Sequence, residues 1–321
     1  MLLNALAAGV SPLSGGAAAP LTPRASGRLA VRELVEPPVA PLFNDTLWGP
    51  SWGSQEEEAL AFLQQHQPEA DAAGLSEAVL SNGVRLALQA RNATPWARAV
   101  PWEVFLNDVL PYAVLNEARE NWRPLFHHAF MPLVANASST TEAALRLNQH
   151  IWDLVEVKYE EQLSPHITSP LEALAYKRAS CTGLTVLLVD ACRAVGVPAR
   201  MALVGEWAPP NSGNHNWVEV WVEDHWEFTG AFDGDGAMMN KTWFTERVKG
   251  QDASVPSQRV YATTWKPAAD SLTLPPLCLS TGGDATRVNA VERTAYYNAV
   301  DPPGEDYDEG TQGGKVPRQG R

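Results

Sequence analysis

The sequence predicts an α+β protein in which one apolar helix packs on an antiparallel sheet, with a helical subdomain ahead of it. Three observations carry this. Leu184, Leu187, Leu188, Ala191 and Val195 recur at three- and four-residue steps, so Cys181 to Val195 reads as a helix with one buried face. From His215 to Val222 the chain alternates with period two, Val218, Val220 and Val222 on one face and His215, Trp217, Glu219 and Trp221 on the other. Glu223-Asp224-His225 then reads as a turn into a returning strand over Trp226 to Ala231. Upstream, Glu56 to Gln65, Leu75 to Ala90 and Pro101 to Leu115 carry apolar residues at helical spacing.

Composition sets the bounds. The 321 residues, 45% hydrophobic and 19% charged, suffice for a substantial core in one large or two modest domains. A net charge of −13 argues against the clustered basic face that nucleic acid requires. No run of about 20 apolar residues occurs, so no membrane span is expected. Residues 1–41 read as a disordered leader ending in the Pro-rich linker Glu36 to Pro41. Residues 42–139 read as the helical subdomain, 140–266 as the core, 267–301 as a linker with a further strand region, and 302–321 as a disordered tail. A soluble chain is expected. Its compartment stays open, because the Ala/Ser/Arg-rich start has the composition of an organelle transit peptide and four Asn-X-Ser/Thr sequons allow for secretion.

Each element has a local reason. In the first helix Leu60, Ala61 and Phe62 are the candidate buried positions, and Asn82-Gly83 is a candidate interruption of the second. Trp102, Phe105, Leu106, Val109 and Leu110 form the stripe of the third. Thr140 to Glu160 is the helix before the site, and Ser169-Pro170 starts a short helix to Tyr176. Ser180 is an N-cap for the helix from Cys181, Gly196 suits its left-handed C-terminal residue, and Pro198 prevents continuation. Ala199 to Val204 reads as a strand and Glu206 to Gly213 as a loop. Met238 to Phe244 follows as a short helix and Arg259 to Trp265 as a closing strand. Pro267 to Pro276 is a linker, and Arg287 to Tyr297 is one more strand or the start of a further domain.

Cys181 in a first helical turn sits where unpaired N–H groups and the helix dipole favour an anion, which lowers a thiol pKa. Lys177 and Arg178 just upstream could lower it further, although basic residues in such a place are commonly solvated. Antiparallel pairing across a two- or three-residue turn makes opposed residues sum to about 447–449, which sets His215 against Phe232 to Gly234. Asp233 lies in the middle of that range. A cysteine or a histidine alone would read as ordinary packing; together in this order they read as nucleophile, base and orienting acid. Trp207, Trp217, Trp221 and Trp226 crowd the site and are candidates for a substrate groove, with core packing the equal alternative. Of three cysteines, Cys192 reads as a buried free thiol, a Cys192–Cys278 bridge being the other reading. His127-His128 lacks further ligands at metal spacing, and His66, His150, His166 and His225 read as surface or locally hydrogen-bonded. No metal site and no calcium loop is expected.

Ser180-Cys181-Thr182-Gly183, the helix exit Val195-Gly196-Val197-Pro198-Ala199-Arg200 and the strand His215-Asn216-Trp217-Val218-Glu219-Val220 together resemble the core of the transglutaminase-like superfamily. The resemblance covers roughly Pro170 to Phe244. Trp226-Glu227-Phe228-Thr229-Gly230-Ala231-Phe232-Asp233 is similar to a bacterial-type variant reading WhflGAxEP. That variant puts Asp233 at the acidic position, whereas other members carry an Asp where this chain has Gly230. The resemblance implies a papain-like Cys-His-Asp core, with Cys181 as nucleophile, His215 as base and Asp233 as the acid. It implies acyl transfer through a thioester on a protein or peptide substrate, with no cofactor, and hydrolysis by a peptidase or amidase at least as much as cross-linking. A non-catalytic module that uses the tryptophan-lined groove for binding is the alternative, and Gly230 speaks for it. Oligomeric state is not legible.

Overall fold

Helices fill the first half of the described chain, which in this computed structural model comprises residues 52–161, 163, 165–232, 238–274 and 288–300. The expectations placed on Asp233, Cys278 and both termini lie outside these residues. Helices α1 (Ser54–His66), α2 (Glu69–Gly74), α3 (Glu77–Ala93), α4 (Pro95–Ala99) and α5 (Trp102–Asp108) come first. In α1 the buried positions are Ala59 and Leu63; Leu60 and Phe62 are half-buried and Ala61 is exposed, so the apolar face is one step out of phase with the expected one. The Ser76 hydroxyl accepts the Val79 N–H to start α3, which runs unbroken through Asn82-Gly83. Its buried stripe of Leu80, Val84, Ala87 and Leu88 spans that point. Burial of this kind outweighs the roughly 1 kcal/mol that an interior glycine costs.

The helix expected to reach Leu115 stops at Asp108. Pro111 disfavours a helical conformation at Leu110, and the segment from Val109 instead gives its carbonyls to two buried arginines. Arg123 donates to Val109, Leu110 and Pro111 at 2.9–3.0 Å, and Arg193 donates to Ala113 at 2.8 Å. Glu117 accepts the Val114 and Leu115 N–H groups at 2.7 Å each.

Two longer helices follow, α6 (Arg123–Val134) and α7 (Thr140–Val155). The latter ends five residues before the expected Glu160 because Glu156 takes a left-handed φ of 57°. Beyond it, β1 (Lys158–Tyr159) pairs in parallel with β2 (Arg178–Ala179), which comes after α8 (Pro170–Tyr176). A Ser169/Glu172 capping box opens α8. Helix α9 (Cys181–Ala194) begins where the Ser180 hydroxyl accepts the Gly183 N–H. It ends before Gly196, whose φ is 89° and where a Cβ would come within 3.2 Å of the Ala90 backbone. Both the backbone angle and the approach of α3 call for glycine there.

The sheet is built from β3 (Ala199–Val204), β4 (His215–Val222) and β5 (His225–Thr229), then, after α10 (Thr245–Val248), from β6 (Val260–Thr263), β7 (Leu272–Thr273) and β8 (Asn289–Glu292). Its strand order is β5-β4-β3-β6-β8-β7, with every neighbouring pair antiparallel. Strands β7 and β8, both after residue 267, thus belong to the same sheet, and α11 (Thr294–Ala299) is the last described helix. The helix expected over Met238–Phe244 is a turn, and α10 begins only at Thr245. Asn240 explains this: with φ at 61° it donates its N–H to the Phe228 carbonyl and accepts the Phe228 N–H on its side chain, so it docks on β5 instead of entering a helix.

One sheet face carries Met201, Leu203, Val218 and Val220 against Leu184, Leu187 and Leu188 of α9, with Phe126, Phe130, Leu147 and Ile151 of α6 and α7 beyond. The other carries Trp217, Phe228 and Val260 under Trp207, Phe244 and Tyr297. A separate cluster joins α1, α3 and α5 through Leu63, Val84, Leu88 and Phe105. No described helix is long and apolar enough to cross a membrane.

Glu219, fully buried on β4, ties the second face together. It pairs with Arg200 at 2.7 Å and Arg293 at 3.0 Å and accepts the Tyr297 hydroxyl at 2.9 Å. Burial pushes its carboxyl up, and the two guanidiniums more than offset this, holding it below the usual carboxylate range. Glu219→Ala leaves both arginines without that carboxylate and is expected to lower unfolding free energy by about 3–5 kcal/mol at neutral pH in urea titrations. Because the folded-state pKa lies below the unfolded one, the deficit should be complete above the unfolded value of ~4.3 and narrow as pH falls through the folded value.

Candidate active site

The period-two pattern of β4 places its side chains. Asn216, Val218 and Val220 face α9, while His215, Trp217 and Glu219 face the aromatic cluster. Strand pairing brings the start of β4 alongside the end of β3, His215 lying opposite Val204. The Asn216 amide reaches across to the first turn of α9, donating to the Thr182 hydroxyl at 2.8 Å and lying 3.6 Å from the Cys181 Sγ. Cys181 is thus the first residue of a capped helix, with the strand amide beside it and its side chain partly exposed.

Two imidazoles face the thiol, His215 from β4 and His166 from the segment before α8. Burial pushes the Cys181 thiol up, but hydrogen bonds from His166 and His215, the charge of His215 and the Asn216 amide outweigh it and bring the thiol down to about 6. The reciprocal hydrogen bond raises His166 against the opposing effect of burial. Lys177 and Arg178 point elsewhere, Lys177 to the Val155 carbonyl and Glu156, Arg178 to Glu160. Cys192, on the same helix, is buried and pushed up to about 12 by desolvation.

The segment carrying His166 is seated on α9 by close contacts. Ser180 donates its hydroxyl to the His166 carbonyl, and Thr168 packs on Gly183, where a Cβ would stand 2.1 Å from the Thr168 Oγ1 and 3.0 Å from Ala179 Cβ. Glycine is needed here for space. The β4–β5 ladder has a two-residue turn, pairing Val222 with His225 and Val218 with Thr229. Past Thr229 the chain is held by α7, whose buried Asn148 donates to the Gly230 carbonyl at 2.7 Å and accepts the Phe232 N–H at 3.4 Å. That contact fixes the chain as far as Phe232.

The four tryptophans fall into two pairs. Trp207 and Trp217 are buried and nearly parallel, with ring centroids 6.2 Å apart, and sit 6.3 and 6.1 Å from the His215 ring. Trp221 and Trp226 face each other across the hairpin near its turn, 5.4 Å apart, with Arg200 lying 3.9 Å over Trp226. Among the described residues, the exposed aromatic beside the imidazole is Trp243, 4.9 Å from His215, which the sequence reading did not single out. His166, which the sequence places among surface or locally hydrogen-bonded histidines, is half-buried beside the thiol, and Asn216 carries no role of its own in the sequence. A histidine in an aperiodic segment carries no pattern that ties it to a distant helix, whereas the phase of Asn216 on β4 was readable. His127 hydrogen-bonds the Ala194 carbonyl at 2.9 Å, and among the described residues no group of His, Cys, Asp and Glu could hold a metal ion.

Iodoacetamide labelling of Cys181 is expected to reach half its alkaline rate near pH 6, falling below that as the thiolate is protonated. Cys192 should stay unlabelled in the folded protein across the neutral range, and peptide mapping by mass spectrometry separates the two. Gly183→Ala should cost about 1–3 kcal/mol in chemical unfolding, because Thr168 has to move off the helix.

The family model of the Transglutaminase-like superfamily matches residues 130–229, a stretch that opens in α6 and closes at the end of β5. No curated protein matches the chain. Among solved structures, one described as "a Putative Cysteine Protease from Cytophaga hutchinsonii" aligns at 13% identity and a TM-score of 0.30, covering 71% of this chain and 68% of that one. Residues 130–229, which hold Cys181, His166, Asn216 and His215, are accordingly a transglutaminase-like domain.

Proposed function

We propose that this chain catalyses thiol-dependent acyl transfer or hydrolysis at a carboxamide or peptide carbonyl of a protein or peptide. The supporting observation is the Cys181 thiol at the start of a buried helix, brought to about 6 by the imidazoles and the amide around it. At neutral pH it is an anion, hence a nucleophile. The Cys181 sulfur bonds to the carbonyl carbon, and an electron pair moves to the oxygen. Collapse of that intermediate breaks the C–N bond, and the departing amine takes a proton from His215. Water or a second amine then attacks the thioester, gives its proton to His215, and expels the thiolate. Asp233 is the residue we assign to orient the His215 ring. The Asn216 amide and the backbone N–H of Cys181 are the donors we assign to the oxyanion.

A panel of glutamine-containing and amide-bearing peptides, incubated with and without a primary amine and read by mass spectrometry, tests the reading. Amine-bearing product means transfer and free acid means hydrolysis. Cys181→Ser and His215→Ala are expected to lower kcat/KM by ~10⁴-fold or more, Asp233→Asn to lower kcat by up to ~10⁴-fold, and Asn216→Ala to lower kcat by ~10²-fold. A folded protein whose Cys181 labels normally but turns over no acyl donor would instead be a binding module on the same scaffold.

A further inference from the structure

His166 is held at the thiol by its own backbone. The Ser180 hydroxyl, the cap of α9, donates to the His166 carbonyl, and two residues later Thr168 rests on the bare Cα of Gly183. These contacts fall one residue before Cys181 and two residues after it, so the segment brackets the nucleophile. The ring of His166, half-buried, comes close enough to the Cys181 sulfur for the two to interact, which raises the imidazole and lowers the thiol. Thr168 and Ser169, next along the segment, are fully buried and give it little freedom to swing away.

We infer that His166 is a second catalytic imidazole, which donates a hydrogen bond to the Cys181 thiolate and keeps the sulfur ionised whichever protonation state His215 is in. This rests on the thiol chemistry proposed above. A single imidazole that both stabilises a thiolate and carries the reaction's proton leaves the sulfur unsupported once that proton has gone to the amine. With two, the tasks divide. His215 carries the proton, and the His166 N–H accompanies the sulfur: it supports the thiolate before attack and again when the thioester collapses and sulfur departs. No proton leaves His166 in either step, and no further reactant is needed. Among the described residues, His166 and His215 are the titratable side chains that face the thiol from the packed elements, with the uncharged Asn216 amide between helix and strand; Lys177 and Arg178 are turned to Val155, Glu156 and Glu160.

The test is the pH dependence of iodoacetamide labelling at Cys181 in wild type, His166→Ala, His166→Asn and His215→Ala, with histidine NMR titration of wild type and Cys181→Ala. Since the carbonyl of residue 166, not its ring, bonds Ser180, the variants should fold, and thermal unfolding checks this. His166→Ala is expected to raise the labelling midpoint by about one pH unit or more, which slows labelling about fivefold at pH 6 and about tenfold below pH 5. His166→Asn, which keeps an N–H donor, should recover part of the loss. In Cys181→Ala the His166 ring should titrate at lower pH than in wild type, a coupling that a purely structural histidine would lack. An unchanged midpoint in His166→Ala, or an unchanged His166 titration in Cys181→Ala, overturns the inference while leaving the acyl-transfer reading standing. A wild-type Cys181 that labels no faster than Cys192 brings down both.

Discussion

Helix α9 is enclosed on every side, with each residue from Thr182 to Ala194 buried. A helix so enclosed cannot slide or rotate without opening its contacts with α6, α7 and the sheet together. Each of Leu184, Leu187 and Leu188 removed from water contributes on the order of 1.5–3 kcal/mol, so displacement is costly at several points at once. Its two ends are fixed as well, by the Ser180 cap and by the tight passage of Gly196 against α3. The first turn, with its free N–H groups and its thiol, therefore stands in one place, and β4 delivers the strand groups to it. Position is what the proposed chemistry asks of the scaffold, since reacting groups must already be oriented when a substrate arrives.

Charge buried in this interior serves as connection. Arg193 near the end of α9 and Arg123 at the start of α6 bond backbone carbonyls of the irregular segment after α5, and Arg123 also bonds the Arg193 carbonyl at 2.9 Å. Burial lowers both guanidiniums and pushes Asp190 well above its ordinary value, with the two arginines pulling against that rise. On the opposite sheet face Glu219 links β3, β4 and the strand-to-helix junction at Arg293. Such groups are weak sources of net stability, but each removes backbone or side-chain freedom that apolar contacts alone would leave.

What was legible in the sequence was what repeats or caps. The span and both ends of α9, the alternation of β4 and the short hairpin turn all follow from period and from residues such as Ser180 and Gly196 that have one local use. Where the reading failed, a tertiary contact decided. Asn240 turns away from a helix because β5 offers it a pair of hydrogen bonds, and Glu156 ends α7 early by a left-handed step that glutamate does not advertise. Pro111, by contrast, did advertise the end of α5; the apolar stripe on either side of it masked the signal. The site divided in the same way. Cys181 and His215 stood on regular elements with readable phase, while the relation of His166 to the thiol depends on Thr168 fitting a space that only Gly183 leaves open.

The ionised sulfur carries a redox consequence. A thiolate at neutral pH reacts with peroxide far faster than a thiol, so Cys181 is the described cysteine expected to oxidise first, to a sulfenic acid. Recovery from that state depends on a second thiol. Cys192 cannot supply it: it is buried, and eleven positions along a helix rising about 1.5 Å per residue put it some ~16 Å away, well beyond the span a disulfide can close. A reductant arriving from solution would have to enter by the partly exposed side of Cys181, so under the proposed reading a bound substrate would shield the sulfur from oxidant and reductant alike.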